Sequence, residues 1–306
     1  MTPATRRPGA EAAAARGWFA SHKWLLARRA AQLLVLAVFM IGPLAGVWIV
    51  KGNLNFSHTL DVLPLADPYV LLQSVAAGSV PGTRALAGAA IVLGFYLLVG
   101  GRVYCSWVCP VNAVTDFAAW LRRGLGIGKS VRISASVRYW LLGATLVLAW
   151  ATGTIAWELV NPVSMLHRGL VFGVGAAWAV VLAVFLFDLL FSHRGWCGHL
   201  CPVGAFYRVV GTKSPVRVTA ARRALCDNCN DCYAVCPEPQ VIRPALKGAA
   251  AGASPVVLSP ECTNCGRCID VCAQRVFRFG LRFDHREDAS AQAAAGTVAP
   301  AAANRS

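Results

Sequence analysis

Four long apolar runs, separated by polar segments, dominate the pattern of this chain: Ala30 to Val50, Ala85 to Gly101, Tyr139 to Trp157 and Leu170 to Phe191. Each comes near the roughly 20 residues that an α-helix needs to cross about 30 Å of hydrocarbon. The pattern predicts a four-helix transmembrane domain over 30–210 that returns the chain to its starting side. The first run is too long for the apolar region of a cleaved signal and lacks a small-residue cleavage site after it, so it also reads as a span. Gly42 and Pro43 predict a kink within it.

Composition supports this reading, with 57% hydrophobic residues, 14% charged residues and a mean hydropathy of +0.54. Lys and Arg outnumber Asp and Glu by 29 to 14, but no helix-turn-helix, zinc-finger or RNA-binding signature accompanies the excess, which argues against a nucleic-acid partner. Placement along the chain explains the charge better. Six of the basic residues lie in 1–29, two in 51–84, six in 102–138, one in 158–169 and fourteen from 192 onward. Because basic loops stay cytoplasmic, both termini and the 102–138 loop are expected inside and 51–84 and 158–169 outside. Trp48 and Trp157 are then expected at the outer interface, and Trp107, Trp140 and Trp196 at the inner one.

The apolar runs form a repeat. Each half crosses an outer loop with an Asp-Pro or Asn-Pro step (Asp67-Pro68, Asn161-Pro162) and ends in CxxxCPV. Two repeats in the same orientation imply an axis along the membrane normal, which brings the CxxxCP motifs side by side.

All twelve cysteines fall in short motifs. Cys226/Cys229/Cys232/Cys236 and Cys262/Cys265/Cys268/Cys272 both follow CxxCxxCxxxC, in which three thiolates serve one cubane and the fourth serves the other. The spacing predicts two [4Fe-4S] clusters, one held by Cys226, Cys229, Cys232 and Cys272, the other by Cys262, Cys265, Cys268 and Cys236. Zinc also binds paired CxxC motifs, but a tetrahedral site does not require the fourth cysteine at this offset twice. A small ferredoxin-like α+β domain is expected over 217–285, with a cytoplasmic segment over 1–29 and a disordered tail over 286–306.

The CxxxCP motifs, Cys105/Cys109 and Cys197/Cys201, are less specific. Thiols four residues apart share a helix face, and the following Pro110 or Pro202 marks a helix end or restart. They could be buried structural cysteines, a disulfide-exchanging pair, metal ligands or a contact for a redox partner.

The segments RVYCSWVCPVNAVTDFAAWLRR, GWCGHLCPVGAFYRVVG and CDNCNDCYAVCPEPQV, together with the four predicted spans, resemble the NapH family of ferredoxin-type membrane proteins, relatives of MauN and of the C-terminal membrane part of NosR. The resemblance covers about residues 20–283. It implies a quinol dehydrogenase component of the bacterial inner membrane that feeds electrons toward a periplasmic nitrate reductase. Its implied partners are the quinone pool, a NapG-like iron-sulfur subunit and a NapC-like membrane-anchored cytochrome.

Quinol oxidation needs proton acceptors as well as one-electron acceptors. Asp188, at the inner end of the fourth run, and Glu158, in an outer loop, are the candidates, with His58 and His167 behind them. Without CxxCH or histidine pairs in the runs, no haem is expected. The absence of GxGxxG argues against direct oxidation of a pyridine nucleotide. The sequence therefore reads as an electron carrier between quinol and a respiratory complex, or else as a maturation factor for another metalloenzyme.

Overall fold

The computed structural model describes residues 7–288 except 129, 132 and 174, so the expected tail lies outside the described residues from 289 onward. The chain divides into two compact units, Arg28–Lys213 and Met1–Ala27 with Ser214–Ser306. In chain order the elements are α1 (Ala10–Arg16), α2 (Trp18–Ser21), α3 (Lys23–Ala45), β1 (Val50–Gly52), β2 (Phe56–Thr59), β3 (Leu63–Ala66), α4 (Pro68–Ala76), α5 (Thr83–Val99), α6 (Val111–Gly124) and α7 (Val137–Thr152). They continue as α8 (Pro162–Phe172), α9 (Gly175–Leu186), α10 (Pro202–Val210), β4 (Val216–Thr219), α11 (Asp231–Val235), α12 (Ile242–Lys247), α13 (Arg267–Val271) and β5 (Arg278–Leu281).

Only α3, among the described residues, is long and apolar enough to cross a membrane by itself; Thr83–Val99, Val137–Thr152 and Ala177–Phe191 are shorter apolar helices. Three of the expected runs are cut by backbone geometry. Helix α3 ends three residues after Gly42, with Pro43 in its last turn, so the proline helps end the helix instead of kinking its middle. Gly153, at φ 64°, stops α7 before the expected end at Trp157. The expected helix 170–191 is two helices, because Gly173 closes α8 in the left-handed region at φ 65°.

The repeat is visible at the level of single hydrogen bonds. In the first half the Asp67 carboxylate accepts from the Tyr69 N–H at 2.8 Å, with Pro68 at the first position of α4. In the second, Asn161 Oδ1 accepts from the Val163 N–H at 3.1 Å, with Pro162 opening α8. Both are N-caps of short helices that lead into the apolar α5 and α9. Each half carries its CxxxCP motif on a π turn, Tyr104–Val108 or Trp196–Leu200, and restarts as α6 or α10 after the second cysteine; the second half has a further π turn at Phe187–Phe191.

The halves interlock: α6 packs on α8 and α9, while α10 packs on α5 and α7. Gly101 makes this fit possible, since a Cβ there would lie 1.7 Å from the Tyr207 carbonyl oxygen and 2.7 Å from the Gly211 nitrogen. Between α3 and α4 the chain forms an antiparallel meander, β1-β2-β3, that the apolar pattern does not announce. Strand β3 lies along α5.

In the other unit, β4 and β5 pair antiparallel, Val216 opposite Leu281, and Thr219 bridges to Val256. Helices α11 and α13 pack together, and Val218, Ile242, Leu246, Val257, Val276 and Phe277 form the core. Residues 7–27 join this unit. The Gly9 N–H donates to Asp231 at 2.8 Å, and Asp270 accepts from the Trp24 and Leu25 N–H groups at 3.1 and 2.8 Å, which caps the start of α3.

Candidate functional site

Two cavities in the smaller unit are built from its two cysteine loops. Cys226, Cys229, Cys232 and Cys272 line the first, with Leu246, Val276 and Phe277. Cys236, Cys262, Cys265 and Cys268 line the second, with Val218, Val241 and Ile242. Each loop thus contributes three thiols to one cavity and its last thiol to the other.

The loops share a backbone device. Asn228 and Asn230 take φ 63°, and their counterparts Asn264 and Gly266 take φ 47° and 72°, so the chain turns left-handed after the first and second cysteines of both motifs. Asn and Gly tolerate that region best, and such turns curl backbone N–H groups around an anion. Donors reach the sulfurs as well: the Val276 N–H lies 3.4 Å from Cys272 Sγ, and Lys247 Nζ lies 3.6 Å from Cys226 Sγ.

Burial pushes the Cys229 thiol up to about 11; burial and the adjacent Cys272, Cys226 and Cys229 push Cys232 up to about 12. Cys268 and Cys272 are raised for the same first reason. Without iron these thiols keep their protons at neutral pH, and metal binding would ionise them. Four sulfurs around an apolar cavity, with donors aimed at the sulfurs, fit a cubane cluster.

The larger unit brings all four CxxxCP cysteines into one place. Cys105, Cys109 and Cys201 pack in one core with Tyr69, Tyr96, Tyr104, Val203 and Tyr207, and Cys109 also touches a second core of Val111, Val163 and Val184. All four are free thiols and half-buried.

Asp67 is the buried carboxylate that the sequence reading missed. It is 7% exposed, accepts from the Tyr207 hydroxyl, and lies within electrostatic reach of Glu158. Tyr207 in turn stacks on Tyr104 at 4.7 Å and meets Tyr96 edge-on at 5.0 Å. The Asp-Pro step was the available signal, but a polar loop residue before proline reads as an ordinary cap.

The expected proton acceptors take different places. Asp188 is 1% exposed and accepts from the Trp196 N–H at 2.9 Å, so it holds the start of the second CxxxCP turn. Glu158 accepts from Asn161 Nδ2 at 3.1 Å and lies 3.8 Å from Arg168. His167 is buried on α8 with its ring edge-on to Phe39, and His58 sits on β2 against Phe56. Trp157, expected at the outer interface, is instead buried and stacked on Trp196.

Comparison with known proteins addresses the same two regions. The 4Fe-4S dicluster domain family matches residues 225–291, and the 4Fe-4S binding domain family matches residues 81–128 and 174–218. The methylamine utilization ferredoxin-type protein MauN of Methylorubrum extorquens is 55% identical over 273 residues, 89% of this chain and 94% of that protein. The ferredoxin-type protein NapH of Haemophilus influenzae is 50% identical over 285 residues, 93% of this chain and 99% of that protein. The chain belongs to the NapH/MauN family of ferredoxin-type proteins. MauN of Paracoccus denitrificans is 58% identical over 271 residues, 89% of this chain and 95% of that protein. No solved structure matches. The eight cysteines of the smaller unit accordingly form a 4Fe-4S dicluster domain, and the protein is a ferredoxin-type electron-transfer protein.

Proposed function

We propose that this protein takes electrons from membrane quinol and passes them through iron-sulfur clusters to a respiratory partner, in the manner of a NapH-like quinol dehydrogenase component for periplasmic nitrate reduction. The observation that carries the reading is the joining of a dicluster domain to a unit whose apolar helices turn large side chains outward. On α5 these are Leu86, Ile91, Phe95 and Leu98; on α7, Trp140, Val147 and Trp150; on α9, Trp178 and Leu182. Such faces suit lipid better than water. A rise of about 1.5 Å per residue gives α5 and α7 roughly 25 Å and the apolar stretch Ala177–Phe191 roughly 22 Å, somewhat under the hydrocarbon thickness of about 30 Å.

The unit is read here as four spans in the bacterial inner membrane, with both termini and the clusters cytoplasmic. The clusters supply one-electron acceptors. The chain's own groups supply proton acceptors: Asp67 and Glu158 share one electrostatic neighbourhood, and Asp188 anchors the cysteine turn beside it. A NapG-like iron-sulfur subunit and a NapC-like membrane cytochrome are the partners this role calls for.

A second reading has its own support. Two of the three MauN relatives, at 55% and 58% identity, stand above the NapH relatives at 50% and 48%, while the third MauN is 47% identical over 226 residues. That lean favours electron delivery to the maturation of a metalloenzyme of methylamine utilization. Deleting the gene and assaying both processes separates the readings. Loss of quinol-dependent periplasmic nitrate reduction supports the first; loss of growth on methylamine with intact nitrate reduction supports the second; neither loss rejects both.

A further inference from the structure

Each match to the 4Fe-4S binding domain family spans one CxxxCP motif and therefore only two cysteines, half the ligand set of a cubane. The fold removes the discrepancy by joining the two repeats. All six pairs among Cys105, Cys109, Cys197 and Cys201 lie within electrostatic reach of one another. We propose that these four thiols, two from each repeat, hold a third iron-sulfur cluster inside the larger unit, separate from the dicluster domain.

Three of the four sulfurs have donors aimed at them, and the fourth meets a hydroxyl. The Arg102 guanidinium hydrogen-bonds Cys105. The N–H groups of Val111 and Asn112 point to Cys109, and those of Val203 and Gly204 point to Cys201. Thr115 Oγ1 lies 3.8 Å from Cys197 Sγ. Donors of this kind stabilise thiolates over thiols and tune the potential of the metal centre they ligate. A pair of merely packed cysteines has no need of them.

Charge balance points the same way. Four thiolates and a cubane carry a net negative charge, costly in an apolar interior unless cations stand beside it. Arg102 and Arg138 are 2% and 1% exposed and within electrostatic reach of Cys105, and their Nη atoms are held by the carbonyls of Cys197 and Gly198 at 3.3 and 2.9 Å. Both carbonyls belong to the turn that carries Cys197.

The test reads iron and spectra, so it is independent of the quinol reading. Anaerobically purified full-length protein should hold about twelve iron atoms, as three cubanes require, with acid-labile sulfide in similar amount. Cys105→Ser or Cys201→Ser should lower iron by about four atoms and leave the dicluster electron paramagnetic resonance signals intact. Conversely, Cys226→Ala combined with Cys262→Ala should leave a residual centre. Arg102→Lys and Thr115→Val guard against simple misfolding. Both should keep the iron count and shift the potential of one centre alone. About eight iron atoms in the wild type, unchanged by Cys105→Ser and Cys201→Ser, would overturn the proposal, as would zinc bound in place of iron.

Discussion

Trp157 lies on Trp196, with ring centroids 6.4 Å apart and planes 21° from parallel. One ring follows the end of α7 expected outside the membrane, and the other opens the CxxxCP turn expected inside. Their contact means that the segment between α7 and α8 folds back to the depth of the thiols. The same holds in the first repeat, where Asp67, at the start of α4, reaches Tyr207 beyond the second cysteine motif. The short helices α4 and α8 therefore both start beside the cysteine turns, with Tyr69 and Val163 packed near Cys109.

Orientation is the first expected outcome. Reporter fusions after Trp120 and after Arg286 should read cytoplasmic, and a fusion at Gly78, in the turn between α4 and α5, should read periplasmic. A fusion at Asp67 is a poorer probe, because that residue is buried and caps a helix. A periplasmic signal after Arg286 would reverse the topology.

The crossed ligand sets can be read directly from metal content. Cys236→Ser should perturb the centre that Cys262, Cys265 and Cys268 line, and Cys272→Ser the centre that Cys226, Cys229 and Cys232 line. Each change should remove about four iron atoms or alter one spectral signal and spare the other. If Cys236→Ser instead disturbs the centre of its own loop, each motif supplies all four of its ligands locally.

Much of this dicluster site was legible in the sequence because ligand spacing is a local covalent property. Three positions within a short loop fix which thiols can share a cubane, and the offset of the fourth assigns it to the other. The larger unit was less so. Hydropathy located the apolar helices but gave no sign of the break at Gly173, which depends on one left-handed φ, nor of the meander β1-β2-β3. Trp157 and Asp67 were misplaced because a window average treats any polar, proline-containing segment as an outer loop. Only tertiary packing shows that such a segment turns inward. The duplicated CxxxCP motif was readable as a pair, but its polar neighbours Arg102 and Thr115 are ones that no spacing rule selects.

Close backbone approach gives a stability outcome. Gly101→Ala would place a methyl group 1.7 Å from the Tyr207 carbonyl oxygen, so α5 and α10 must separate. The expected cost is about 3 kcal/mol or more, at or above the usual range for overpacking. Gly143→Ala in α7 meets nothing within 4 Å and should change the melting temperature little, which makes it the control. In the smaller unit Gly266→Ala combines φ 72° with a Trp24 Cβ at 2.7 Å, and should destabilise that unit. Thermal denaturation in detergent, followed by tryptophan fluorescence and by loss of cluster absorbance, distinguishes the two.

The internal repeat also supplies a substitution that separates structure from chemistry at Asp67. Its counterpart in the second half is Asn161, which caps α8 through the same side-chain oxygen and the same N–H two residues on. Asp67→Asn should therefore keep the cap, the fold and the iron content, while removing a carboxylate able to take a proton. If Asp67 accepts a proton from quinol, the rate of quinol-dependent cluster reduction should fall about 100-fold, the lower range for losing a general base. Chemical reduction by dithionite should be unaffected. Asp188→Asn is the matched comparison: its remaining oxygen can still accept from the Trp196 N–H, so a small effect there is expected if the residue only positions the cysteine turn. A normal quinol-dependent rate in Asp67→Asn, with a large loss in Asp188→Asn, would move the proton-accepting role from the cap of α4 to the turn that follows α9.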